Sequence, residues 1–211
     1  MQVGAVVLCG GESRRMGQPK AWLPFGAERM LQRVVRLVGE ADGMGPIAVV
    51  AAPGQELPPL PSSVLVVRDP VSGRGPLQGL AAGLSALPDS VELVFATATD
   101  VPFLQPSWIN ALIALIGDHD LAIPAADGRH HPLAALYRRA VVLPAVAELL
   151  RLDRLRPVFL MDAVRTRIVN AEELRFADPD LRTLRNLNTP EDYRQALEDD
   201  ANELGVVGNA P

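Results

Sequence analysis

The sequence predicts a single α/β domain, a three-layer sandwich with helices on both faces of a mostly parallel central sheet. Three observations carry that expectation. Short β-branched runs alternate with amphipathic stretches, which is how successive βαβ units read in sequence. The runs Val3–Leu8 and Ile47–Ala51 are apolar almost without interruption, as strands covered on both faces are. The chain has 211 residues with 48% hydrophobic but only 4% aromatic content, enough for one aliphatic core, and no linker, repeat or low-complexity tract divides it.

In order, the alternation gives a strand at Val3–Leu8, a helix at Leu31–Val38, strands at Ile47–Ala51 and Val64–Val67, a helix at Leu80–Leu87 and a strand at Leu93–Ala98. Pro106 opens a helix through Trp108, Ile109 and Leu112, because proline suits a first helical turn. A strand at Leu121–Pro124 follows, then a strand at Leu133–Tyr137, a helix at Ala140–Arg151, a short helix at Arg154–Met161 and a strand at Arg167–Asn170. Thr189-Pro190-Glu191-Asp192 supplies an N-cap, a proline at the first helical position and acidic first-turn residues, so a last helix starts there. The domain is expected over residues 1–200, with 201–211 as a flexible tail.

A formal net charge of −5 excludes a broad cationic face for nucleic acid, so an anionic ligand needs a local positive site. A single cysteine, Cys9, excludes an internal disulfide and cysteine-paired zinc sites. No basic segment precedes the first apolar run, and no run approaches membrane-spanning length. The expectation is a cytoplasmic protein without a membrane or nucleic-acid partner.

In an open parallel sheet, ligands bind beyond the carboxyl ends of the strands. Beyond the first strand lie Gly10, Gly11 and Gly17, whose missing Cβ lets the backbone turn sharply and bring N–H groups close to an anion. The spacing is neither the Walker A pattern nor the dinucleotide Gly-x-Gly-x-x-Gly, and glycines also serve tight turns with no ligand. Of the 20 basic residues, 19 are arginine, and the one lysine is Lys20 in this loop. An ammonium kept where every other cation is a guanidinium suits a compact point charge beside a polyphosphate. Beyond the Leu93–Ala98 strand, Asp100 is placed to hold a hard cation such as Mg²⁺ against phosphates, although aspartate before a proline turn is also ordinary.

The run Leu8-Cys9-Gly10-Gly11-Glu12-Ser13-Arg14-Arg15-Met16-Gly17-Gln18-Pro19-Lys20 resembles the signature Leu-x-Gly-Gly-x-Ser-x-Arg-Met-Gly-x-x-Lys of the molybdenum cofactor guanylyltransferases, within the nucleotidyltransferase superfamily. Three further stretches are similar to that family in the same order: Asp69 with Gly73-Arg74-Gly75-Pro76-Leu77-Gln78-Gly79, Asp100-Val101-Pro102-Phe103-Leu104, and Asn186-Leu187-Asn188-Thr189-Pro190-Glu191. The family commonly has aspartate before the lysine, where this chain has Pro19, and asparagine after the second strand, where this chain reads Ala51-Ala52-Pro53-Gly54.

The resemblance implies a Rossmann-like fold of the nucleotide-diphospho-sugar transferase type. It also implies GMP transfer from GTP to the phosphate of molybdenum-bound molybdopterin, with Mg²⁺ as cofactor. It gives catalytic roles to Arg15, Lys20 and Asp100, the last as metal ligand. Nucleotide contacts fall to Leu8, Cys9, Gly10, Gly11, Lys20, Asp69, Gly75, Pro76, Leu77 and Asp100, and the acceptor side to His131, Asn186 and Asn188. Transient contact with molybdopterin-loading or molybdoenzyme-maturation proteins follows from the same resemblance. The alternatives are a cytidylyltransferase for molybdopterin, another nucleotidyltransferase for a phosphorylated small molecule, and a nucleotide-binding module without catalysis. Adjacent His130 and His131 would face opposite sides of a strand and so not share one metal ion. Trp22 and Trp108 read as packing residues, and Arg154 and Arg156 as a solvated pair.

Overall fold

The computed structural model describes residues 2–10, 18–71 and 73–203. The chain runs through β1 (Gln2–Leu8), a 3-10 turn at Lys20–Trp22, a hairpin of β2 (Pro24–Phe25) and β3 (Glu28–Arg29), α1 (Met30–Gly39), β4 (Met44–Ala51), β5 (Val64–Arg68), α2 (Pro76–Ala86) and β6 (Val91–Ala98). It continues through α3 (Pro106–Leu115), β7 (Leu121–Ala126), β8 (Arg129–His130), β9 (Ala135–Arg138), α4 (Arg139–Arg151), β10 (Thr166–Asn170) and α5 (Pro190–Glu203).

The main sheet has the order β10-β7-β9-β6-β1-β4-β5, with β8 paired to β7. Strands β6, β1, β4 and β5 are parallel neighbours, and so are β7 and β10; β9 runs antiparallel between β6 and β7. The two-residue period of β1 divides the core. Val3, Ala5 and Val7 pack with Leu31, Val34, Val35 and Val38 of α1 and Trp108, Ile109 and Leu112 of α3. Val6 and Leu8 pack on the other face with Leu77, Leu80 and Leu84 of α2 and Val142, Val146 and Leu149 of α4. Each fully buried Val, Leu or Ile side chain among these contributes about 1.5–3 kcal/mol. The three-layer architecture agrees with the sequence.

Register sets the level of the strand ends. Leu8 lies opposite both Val50 and Ala98, and Ala51 opposite Arg68, so β1, β4, β5 and β6 end along one rim. From β1 the chain passes through α1 to β4 on one side, whereas from β6 it passes through α3 toward β7 on the other. The β1–β6 boundary is therefore the topological switch point, the place where an open α/β sheet leaves a crevice.

Several elements differ from the sequence expectation. The strand expected from Leu133 starts at Ala135, because Pro132 has no ladder donor and opens a 3-10 turn over Pro132–Ala134. The helix expected at Arg154–Met161 is a 3-10 segment, Pro157–Asp162; Arg156 is extended at φ −97° and ψ 127°, as a residue before proline tends to be. The β2–β3 hairpin was not expected; Gly26 in its turn has φ +59°, a conformation glycine adopts without strain. The last helix runs to Glu203, so the first residues assigned to a tail are helical, and residues 204–211 lie outside those described.

Candidate active site

Lys20 and Asp100 meet above the β1–β6 boundary. Lys20 Nζ donates to Asp100 Oδ2 at 2.8 Å, and the two side chains are only 20% and 13% exposed. Lys20 Nζ also donates to Asn188 Oδ1 at 3.3 Å, and Asn186 Nδ2 reaches Asp100 Oδ1 at 3.4 Å. The two asparagines share a side because the Arg185–Asn188 segment is extended: Leu187 between them is fully buried, and its N–H donates to the Asp100 carbonyl at 2.9 Å. Leu187 packs with Leu23, Phe25, Met30 and Phe103, which seats this segment under the site. Thr189 Oγ1 accepts from the Asp192 N–H, and Asp192 Oδ2 accepts from the N–H groups of Asn188 and Thr189. This closed cap fixes where α5 begins and therefore where Asn188 sits.

Asp100 owes its position to β6. Thr99 donates its N–H and its Oγ1 to the Leu8 carbonyl, at 3.0 and 3.2 Å, which pins the strand exit against β1. Asp100 and Asn188 present a carboxylate and an amide oxygen to one point, the Lys20 ammonium, while Asn186 turns its amide nitrogen to the other Asp100 oxygen. A hard divalent cation that keeps part of its water shell needs one or two carboxylates and further oxygen donors, so this set suits Mg²⁺ better than a softer metal. Among the described residues no group of three or more His, Cys, Asp or Glu side chains converges.

The first residues of the glycine-rich loop are committed to the fold. The N–H groups of Cys9 and Gly10 both point at the Val50 carbonyl, at 2.7 and 3.2 Å, and so do not face an anion. A Cβ on Gly10 would lie 3.4 Å from the Ala52 nitrogen, an ordinary van der Waals contact, so backbone packing alone does not demand glycine there. Any cradle of loop N–H donors therefore begins at Gly11, and Gly11 and Arg15 lie outside the described residues. Burial raises the pKa of the Cys9 thiol above its ordinary value, which keeps it protonated at neutral pH.

The remaining candidates line the same rim. Asp69 follows β5; its N–H donates to the Ala51 carbonyl at 2.8 Å and its Oδ1 accepts from the Val71 N–H at 3.0 Å, a closed turn that orients the carboxylate. Gly75 has φ +77° and precedes Pro76 at the start of α2, whose positive end faces the rim. Leu8 and Leu77 are core side chains, 8% and 0% exposed, so whatever they offer a ligand comes from backbone atoms. His131 precedes β9 at the rim; its N–H donates to the Pro124 carbonyl, and burial lowers its pKa, so the ring is neutral at pH 7. No described contact links it to Lys20 or Asp100. No sequence pattern singles out Gln55, whose side chain bonds both Cys9 and Ala52.

With the geometry in place, comparison with known proteins narrows the chemistry. Residues 5–166 match the family described as the MobA-like NTP transferase domain. Over 198 residues, 92% of this chain and 94% of the relative, the sequence is 38% identical to a probable molybdenum cofactor guanylyltransferase of Mycobacterium avium. It is 38% identical over 192 residues, 89% of each chain, to a protein of the same description from Mycobacterium tuberculosis. Among solved structures it resembles molybdopterin-guanine dinucleotide biosynthesis protein A of Archaeoglobus fulgidus, with TM-score 0.76 and 20% identity over 94% of this chain and 99% of that one. It also resembles 2-C-methyl-D-erythritol 4-phosphate cytidylyltransferase of Thermus thermophilus, with TM-score 0.68 and 18% identity over 95% and 99%. At such identities the structural likeness speaks to fold alone.

Proposed function

We propose that this chain, which belongs to the MobA-like NTP transferase family, is a molybdenum cofactor guanylyltransferase that moves GMP from GTP to the phosphate of molybdenum-bound molybdopterin. The observation that carries the reading is the Lys20–Asp100 pair, with Asn186 and Asn188 beside it, at the switch point of the sheet. A cation and a carboxylate held together there suit a triphosphate and its metal ion.

In the reaction an acceptor phosphate oxygen bonds to the α-phosphorus of GTP. The bond from that phosphorus to the oxygen leading to the β-phosphorus breaks, and pyrophosphate leaves with the bonding pair. The acceptor phosphate is anionic at neutral pH, so no general base is needed. Lys20 neutralises charge on the α-phosphate and on the departing pyrophosphate, with Arg15 assigned the same task from the sequence. Asp100 is the residue that would hold Mg²⁺, with the amide oxygen of Asn188 near the same point and Asn186 steadying the carboxylate through its amide nitrogen. Bound there, Mg²⁺ supplies Lewis-acid neutralisation of phosphate oxygens. Asp69 and the Gly75-Pro76 start of α2 face the nucleoside part of GTP, along with the backbone of Leu77, whereas the Leu8 carbonyl and the Cys9 backbone are spent on Thr99, Val50 and Gln55. Asn186, Asn188 and His131 border the acceptor, a neutral His131 serving as a hydrogen-bonding wall.

Nearly all of this is positioning and charge compensation on rigid strand ends. We place the reaction in the cytoplasm, with transient hand-over to molybdopterin-loading or molybdoenzyme-maturation proteins; no described helix is long and apolar enough to cross a membrane. The test is a competition between GTP and CTP, with Mg²⁺ and molybdenum-bound molybdopterin, in which the expected product carries GMP. A product carrying CMP instead would move the chain to the cytidylyl branch. Nucleotide binding without any transfer would leave a non-catalytic module.

A further inference from the structure

The short segment after β4 touches both ends of the glycine-rich loop. At the entry, Gln55 Nε2 donates to the Cys9 carbonyl at 3.1 Å and contacts Cys9 Sγ at 3.4 Å, while Gln55 Oε1 accepts from the Ala52 N–H at 2.9 Å. At the exit, Trp22, two residues past Lys20, donates its indole N–H to the Glu56 carbonyl at 3.0 Å. Arg68 braces the segment by donating to the carbonyls of Ala52 and Gln55, at 3.3 and 2.6 Å. Gln32 holds its continuation through the Pro59 carbonyl at 2.8 Å.

We infer that Gln55 and Trp22 are positioning residues for the nucleotide: through Ala52–Glu56 they fix where the loop leaves β1 at Cys9-Gly10 and where it delivers Lys20. The inference rests on the guanylyltransferase reading above. Neither side chain bonds Lys20 or Asp100 in the described contacts, and the chemistry of both explains the arrangement. Glutamine offers a donor and an acceptor on one planar group, so it joins a carbonyl of one strand exit to an N–H of the next. The indole has a single donor, spent on one carbonyl, and a ring half-buried against the α1 side of the core. Two adjacent residues, 55 and 56, thus set the span between the loop's ends. Lys20 is held from a third direction by Asp100, so a shift at either end moves the ammonium relative to the phosphates it meets.

Two substitutions separate this role from packing. Gln55→Glu keeps the size and the acceptor but has no donor for Cys9; Trp22→Phe keeps a ring but has no N–H. The assay is pyrophosphate release with GTP varied at saturating acceptor and acceptor varied at saturating GTP, alongside thermal unfolding. Each variant is expected to raise KM for GTP about three- to tenfold, the worth of one lost hydrogen bond, and to leave KM for the acceptor within about twofold. Melting temperatures close to the parent's accompany that split. Unchanged KM for GTP in both variants, or an equal rise for both substrates, overturns the positioning role. Absence of GTP turnover in the parent protein overturns the guanylyl reading, and this inference with it.

Discussion

Lys20 is the one ammonium in a chain whose other cations are all guanidinium groups, and the fold brings it within 2.8 Å of the one carboxylate at the exit of β6. A compact charge on a flexible stem can exchange Asp100 for a phosphate oxygen without displacing its neighbours, which a planar fork would not do. Asp100→Asn keeps the shape of the site and removes the charge. The expected outcome is a fall in turnover of about 100-fold or more, with the dependence on Mg²⁺ concentration lost. Turnover that still rises with Mg²⁺ as in the parent would place the metal elsewhere. Lys20, Asp100 and the two asparagines were legible in the sequence because each lies at a strand end or in a matching motif. Gln55 was not, since its importance comes from the distance between β1 and β4 exits rather than from any pattern in the Pro53–Pro61 stretch.

Among the elements, α2 packs closely on β1 and β4, two of the strands that end at the rim of the site. A Cβ on Gly83 would stand 2.5 and 2.7 Å from the methyls of Val6 and 3.1 Å from Val50, both buried and stiff at χ1. Gly83→Ala gains about 1 kcal/mol of helix propensity but overpacks the α2–β1 contact by more. A net loss of about 1–2 kcal/mol is expected in denaturant unfolding, and a gain in stability would show that the helix can retreat from the sheet. The helices and parallel strands were readable because apolar periodicity and proline or threonine starts coincide there. The 3-10 turns at Pro132 and Pro157 and the β2–β3 hairpin were not. Proline there blocks a ladder or helix already favoured by the neighbouring apolar residues, and a two-residue strand is too short to show a period.

Over the whole molecule, the site lies along one rim of the sheet and an ion-paired clasp along the other. At the start of β7, Asp120 accepts from Arg165 N–H, Nε and Nη2 at 3.2–3.3 Å, with Arg138 Nε at 3.9 Å, joining β7, β9 and the entry to β10. The hydrogen bonds from Arg165 hold the Asp120 pKa below its ordinary value. Its folded pKa being the lower one, its contribution is complete above the ordinary carboxylate range and is lost as pH falls through the folded value. Asp120→Asn is expected to cost about 1 kcal/mol at pH 7, modest because Arg165 is largely exposed, with the deficit shrinking as pH drops below about 4. A deficit that stays constant between pH 7 and 3 would mean the clasp acts by packing alone.

The central claim, that the rim over β1 and β6 performs guanylyl transfer with Lys20 at the reacting phosphates, is tested most directly by the single-turnover rate of Lys20→Ala with GTP, Mg²⁺ and molybdenum-bound molybdopterin. Loss of the transition-state charge partner predicts a rate lower by about 100- to 1,000-fold in a protein that unfolds at the parent's temperature. Transfer at the parent rate in that variant would contradict the account.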